Sequence, residues 1–198
     1  EYEVVGKLGK FGHLVGLLEV IVRDLSLAVL IGILFARFAK PSANLIYSQN
    51  GLISKDGKTL TFRIINAKLS QLIDAEAQLI ISFVQSNTNK TTSHYVELEN
   101  NKIPFMTSNW SVVHNITEHS PLFGLSKDDL IKRSFEFILL IKAIDDNYSH
   151  EVHSRTSYLA ESIVWNAKFK PNILNYDNLG RVYTDIKDVG EYIEDYGK

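Results

Sequence analysis

The chain has 198 residues, 45% of them apolar, a formal net charge of -2 and no cysteine. So even a charge balance leaves no basic footprint for nucleic acid. The missing cysteines exclude disulfides and thiolate chemistry and agree with a reducing compartment.

Residues 1–12 carry Gly6, Gly9 and Gly12 at intervals of three, but no strand precedes them, so they do not form a phosphate cradle. Leu14 to Phe38 is then almost wholly apolar. About 25 helical residues span roughly 37 Å, more than a hydrocarbon core of about 30 Å. The segment Phe35-Ala36-Arg37-Phe38-Ala39-Lys40-Pro41 closes this run with two cations and a proline. Flanking Lys and Arg stay on the cytoplasmic side, so residues 13–40 read as a transmembrane helix and residues 41–198 as a cytoplasmic domain. Glu19, Arg23 and Asp24 interrupt the first half of the helix. Glu19 and Arg23 stand four apart and can pair, and Asp24 can share the Arg23 charge; such residues face a bundle interior or a water-filled path. The competing reading is an amphipathic soluble helix, against which the uninterrupted run Leu25 to Ala36 argues, because a surface helix needs a polar face. A cleaved signal peptide fits less well, the run being too long and without a basic leader.

Past Pro41 the period changes to two. Strands are expected at Asn44 to Gln49, Leu52 to Ser54, Thr59 to Asn66, Glu76 to Gln85, Tyr95 to Glu99, Trp110 to Ile116, Phe135 to Asp145 and Glu151 to Leu159. Asn50-Gly51 and Asp56-Gly57 read as hairpin turns. Ser126 followed by Asp128 and Asp129 reads as the N-cap of a short helix. Many short strands with one brief helix define a mainly β domain, a β-sandwich of immunoglobulin-like architecture.

Catalytic chemistry is sparse. The six histidines are scattered, and His150 and His153, three apart on a strand, point to opposite faces and do not ligate one metal. With no nucleophile elbow, Walker loop or thiol dyad in the sequence, an enzyme is not expected.

Four blocks then carry a resemblance: Leu18-Glu19 with Phe35 to Pro41; Phe62-Arg63-Ile64-Ile65-Asn66; His114-Asn115-Ile116 through Ser120-Pro121-Leu122-Phe123-Gly124; and Arg155-Thr156-Ser157-Tyr158-Leu159-Ala160 through Trp165. In this order and spacing the chain resembles the second transmembrane helix and cytoplasmic domain of a prokaryotic inward-rectifier potassium channel. The resemblance implies a homotetramer in the cell membrane, with K+ as permeant ion, Mg2+ or polyamines as blockers and no bound cofactor. It places Phe35 at an apolar cytoplasmic constriction that gates by dewetting. It places Asp74 and Asp146 in acidic rings of the cytoplasmic pore that concentrate cations. Arg37, Lys40 and Lys68 fall at positions that contact anionic lipid headgroups. Without the resemblance, Phe35 is a lipid-facing or packed aromatic, the two aspartates are solvated carboxylates, and the cations only set topology.

Departures accompany the matches. Glu1-Tyr2-Glu3 stands where a Gly-Tyr-Gly filter belongs, so residues 1–12 read as a pore-exit segment or the start of a fragment. Arg23 replaces a hinge glycine, and Leu27 occupies the position whose acidic form controls strong rectification, with Asp24 the nearest polar substitute in the pore helix. No first transmembrane helix or pore helix is recognised, so this chain alone is not expected to conduct. A non-conducting, membrane-anchored β-sandwich serving regulation or interaction is the alternative function.

Overall fold

The computed structural model describes residues 9–38, 44–67, 71–85, 90–106, 109–147, 149–171, 175–176, 182–183 and 189–194. The chain divides into two units, residues 1–40 and 41–198.

The first unit holds α1 (Lys10–Phe38), 29 residues long and ending with Arg37 in its last turn, where a cation complements the exposed carbonyls. Among the described residues no helix is long and apolar enough to cross a membrane. α1 has the length; Glu19, Arg23 and Asp24 break its apolar run. Arg23 donates from Nε to Asp24 Oδ1 at 3.3 Å, so its bond goes to the adjacent carboxylate and not, as the spacing suggested, to Glu19.

The second unit is built on two five-stranded sheets. One contains β1 (Leu45–Tyr47), β2 (Gly51–Ile53), β3 (Thr59–Asn66), β7 (Asn109–Asn115) and β10 (Ile163–Trp165). β1, β2 and β7 all pair antiparallel with β3, and β10 adds parallel to β2, a departure from the all-antiparallel sheets of immunoglobulin architecture. The other sheet contains β4 (Leu72–Val84), β5 (Thr91–Val96), β6 (Lys102–Met106), β8 (Glu136–Asp145) and β9 (His150–Leu159), in the order β5-β4-β8-β9 with β6 also on β4. Short pairs β11 (Ala167–Phe169) with β14 (Tyr192–Glu194), and β12 (Asn175–Tyr176) with β13 (Val182–Tyr183), complete the strands of the described residues.

Alternation decides which faces meet. On β8, Phe137, Leu139, Ile141 and Ala143 are buried, while Lys142 between them is exposed. β3 offers Leu60, Phe62 and Ile64 from the facing sheet. Phe62 packs its ring 4.6 Å from Tyr158 and 6.3 Å from Phe137, centroid to centroid, so the core is the seam between the sheets. The Tyr158 phenol is pushed up to about 12 by that burial.

Asp56-Gly57 forms the expected β2–β3 turn, with Gly57 at φ 68°. Asn50-Gly51 does not form a hairpin, because β1 and β2 both pair with β3 and not with each other. Gly51 is there for close approach: a Cβ would lie 2.5 Å from Phe62 Cε1 and 2.8 Å from Ile163 Cδ1. The expected helix is α2 (Lys127–Lys132), closed by a capping box in which Ser126 Oγ accepts from Asp129 N–H and Asp129 Oδ2 accepts from Ser126 N–H. The strand expected at Tyr95 to Glu99 begins and ends earlier, at Thr91–Val96, and β6, which contains Pro104, lies where none was expected.

Candidate functional site

Asp74 owes its position to a break in alternation. Along β4 Leu72 is buried, then Ala75, Ala77, Leu79 and Ile81 at every second position, so the two-residue period slips between Leu72 and Ala75. The β4–β8 register shifts at the same place, between Ile73 and Glu76. Asp74 absorbs the extra residue with φ 50°, a left-handed conformation that aspartate tolerates better than branched residues, and its side chain is exposed. Asp146 lies just past the end of β8, also exposed. Its N–H donates to Gln71 O at 3.1 Å, and Asp145 pairs with Leu72, so Asp74 and Asp146 occupy the same end of the β4–β8 pair. The fully buried Asp145 accepts Asn147 N–H on Oδ1 at 3.1 Å and fixes the turn that carries Asp146.

Next to Asp74 runs a row of charge that sequence reasoning missed. Register places Lys102, Glu76, Lys142 and His153 side by side across β6, β4, β8 and β9. Lys142 Nζ lies 2.8 Å from Glu151 Oε2, His153 Nε2 lies 2.8 Å from Glu151 Oε1, and Lys102 Nζ lies 3.3 Å from Glu76 Oε2. The bond to Glu151 and its charge hold the Lys142 ammonium above its ordinary range, with Glu76 and Asp74 adding to the same field. The bond from Lys142 in turn holds Glu151 below the usual carboxylate range. These pairs are solvent-exposed, and each contributes little to stability; their effect is on the local potential. His150, opposite Asp145, belongs to a different row from His153, opposite Lys142.

Phe35 is 73% exposed near the end of α1, and Arg37 and Asp24 are exposed as well. Lys40 and Lys68 lie outside the described residues.

Two of the four sequence blocks are structural supports. Buried His114 holds Glu97 O at 2.7 Å through Nδ1 and Ser120 Oγ at 2.8 Å through Nε2, tying the end of β7 to the loop after β5 and to the turn at 117–124. Burial holds its imidazole below the ordinary histidine range. The neutral ring is therefore the folded form, whereas the unfolded chain takes up a proton near pH 6.5. Stability is full above about pH 6.5 and declines as pH falls through the interval down to the folded value. In urea titrations of the chain the midpoint should fall between about pH 7.5 and about pH 5.5, and His114→Gln should flatten that slope. Equal slopes in the two proteins would remove His114 as the cause. Arg63, in the second block, is 6% exposed, donates from Nη2 to Lys170 O at 2.8 Å and stacks 4.5 Å from the Phe169 ring centroid.

Residues 45–194 match the family described as "Inward rectifier potassium channel C-terminal domain". The chain belongs to this family, one of potassium channels and not of enzymes. It is 29% identical over 167 residues to the inward rectifier potassium channel Kirbac3.1 of Paramagnetospirillum magnetotacticum, an alignment covering 82% of this chain and 57% of that protein. It is 29% identical to ATP-sensitive inward rectifier potassium channel 12 of Gallus gallus over 77% of this chain and 38% of that one. It is 30% identical to the Mus musculus channel of the same name, over 75% and 38% respectively. The chain thus spans well under two thirds of the length of these relatives.

Proposed function

We propose that the chain is the carboxy-terminal portion of a pore-forming subunit of an inward-rectifier potassium channel, acting as a homotetramer in the cell membrane. In this reading residues 13–40 line the pore, residues 41–198 form the cytoplasmic domain, and Glu19, Arg23 and Asp24 face the bundle interior, away from lipid. The observation that carries it is the convergence of Asp74 and Asp146, both exposed, at one end of the β4–β8 pair. Fourfold repetition turns that end into acidic rings that raise the local concentration of K+, Mg2+ and polyamines.

The test is block by spermine in a chain carrying the complete pore. Asp74→Asn with Asp146→Asn should weaken block about tenfold or more, the effect of losing two carboxylates per subunit from a confined, weakly screened path. Asparagine is the right replacement at position 74, since it keeps the left-handed φ accessible. Unchanged block would exclude these two residues from the pore.

Anionic lipid acts, in the same reading, on Arg37, Lys40 and Lys68, each contributing roughly 1 kcal/mol near a negative surface. Ser42 and Ala43 thin this cluster, so modest affinity and little choice among phosphoinositides are expected. The triple change Arg37→Gln, Lys40→Gln, Lys68→Gln should abolish lipid-dependent flux in liposomes, and raised salt should weaken it in the unaltered protein. An identical lipid response in both would leave these cations as topology signals only.

A further inference from the structure

The charged row beside Asp74 is balanced, and one proton can tip it. Alternation sends Glu76 of β4, Lys142 of β8 and Glu151 and His153 of β9 to the outer face of their sheet, because Ala75, Ala77, Ile141, Ala143 and Val152 between them turn inward and are buried. Lys102 of β6 stands opposite Glu76. Two lysines therefore offset two glutamates, and the row is neutral while His153 is uncharged. Among these side-chain types only histidine ordinarily changes charge between about pH 5 and 8. Their mutual bond holds Lys142 above and Glu151 below their ordinary ranges, so both stay ionised across that interval.

Glu151 joins the two bases. Its Oε2 lies 2.8 Å from Lys142 Nζ and its Oε1 lies 2.8 Å from His153 Nε2. A proton on His153 makes the second contact charge-assisted, leaves one carboxylate between two cations and gives the row a net positive charge. Nothing nearby cancels it, for the next charge on this face of β9 is Arg155, which lines one groove together with Glu76, Lys142 and His153. The row also adjoins the acidic end of the β4–β8 pair: Asp74 precedes Glu76 by two residues, and its charge reaches Lys142.

We infer that this row sets how strongly the acidic end attracts cations, Lys142 offsetting part of the Asp74 charge and His153, once protonated, weakening the attraction further as pH falls. The inference rests on the reading of Asp74 and Asp146 as pore-lining residues. Because the groups are exposed, salt should shrink the effect.

The probe is Mg2+, whose charge, unlike that of a polyamine, does not vary with pH. In a channel carrying the complete pore, Mg2+ block should be about threefold weaker at about pH 5.5 than at about pH 7.5, since one charge per subunit changes at a distance from the path. His153→Gln should abolish that difference. His153→Lys, with a permanent charge, should give the weaker block at both pH values, and Lys142→Gln should tighten block about threefold at both. All three side chains are exposed, so the core is untouched by these changes. If Asp74→Asn with Asp146→Asn leaves Mg2+ block unchanged, the pore-lining reading falls and this inference falls with it. If those two changes weaken block while His153→Gln keeps the full pH dependence, or Lys142→Gln leaves block unaltered, the inference alone is overturned.

Discussion

Phe62→Ala should destabilise the β domain by about 3–5 kcal/mol, the range for deleting a buried aromatic ring. Phe62 is fully buried and is the residue of β3 that touches both Tyr158 and Phe137 across the seam. The hole cannot close easily, since the opposing rings belong to two strands already paired along their whole length. A loss of this size is a large fraction of the 5–15 kcal/mol typical of a whole domain. Urea unfolding followed by tryptophan fluorescence measures it, Trp110 lying in the same core. Ile138→Ala, on the half-buried outer side of β8, is the control and should lose far less. A Phe62→Ala loss no larger than the control's would show that the seam is not the centre of stability.

Phe35→Ala should raise potassium flux several-fold in a channel carrying the complete pore. The prediction rests on the proposed constriction, at which four aromatic side chains expel water from a narrow path and so hold back the hydrated ion. Removing them widens and wets it. Phe35 is among the most exposed apolar residues of α1, so its truncation leaves few intramolecular contacts to lose and the readout is not confounded by misfolding. Flux is measured in liposomes at matched protein incorporation. Equal flux would return Phe35 to the reading of a lipid-facing or packed aromatic.

What the sequence made legible depended on whether a signal was local. The long helix, the Asp56-Gly57 turn and the Ser126 cap are determined by residues within a few positions of one another, and all three appear in the structure. Asn50-Gly51 has the same local look as a hairpin, yet Gly51 serves a distant demand: Phe62 and Ile163 leave no room for a side chain. β4 was expected to start at Glu76 because the slip at Asp74 disguises its first turns of alternation, and Pro104 disguised β6. The site divides the same way. Asp74 and Asp146 were named by resemblance, and no period in the sequence singles them out. Glu76, Lys142 and Glu151 became neighbours only once the register of β4, β8 and β9 was known. The β8–β9 hairpin could have revealed the Lys142–Glu151 pair, since opposite charges on adjoining strands are a common cross-strand match.

The parallel pairing of β2 with β10 joins Gly51–Ile53 to Ile163–Trp165, 112 positions further along the chain. During synthesis, therefore, the first sheet stays open along β2 after β3 and β7 have left the ribosome. Ile53 and Phe62, which share a core with Ile163, wait for it. Contacts of such sequence separation form late and slow folding, and the waiting edge is a site for wrong partners. A nascent chain stalled before β10 should be protease-sensitive and should bind chaperones, whereas one stalled beyond β11 should resist, so the time of greatest risk in the life of this protein is set by one three-residue strand.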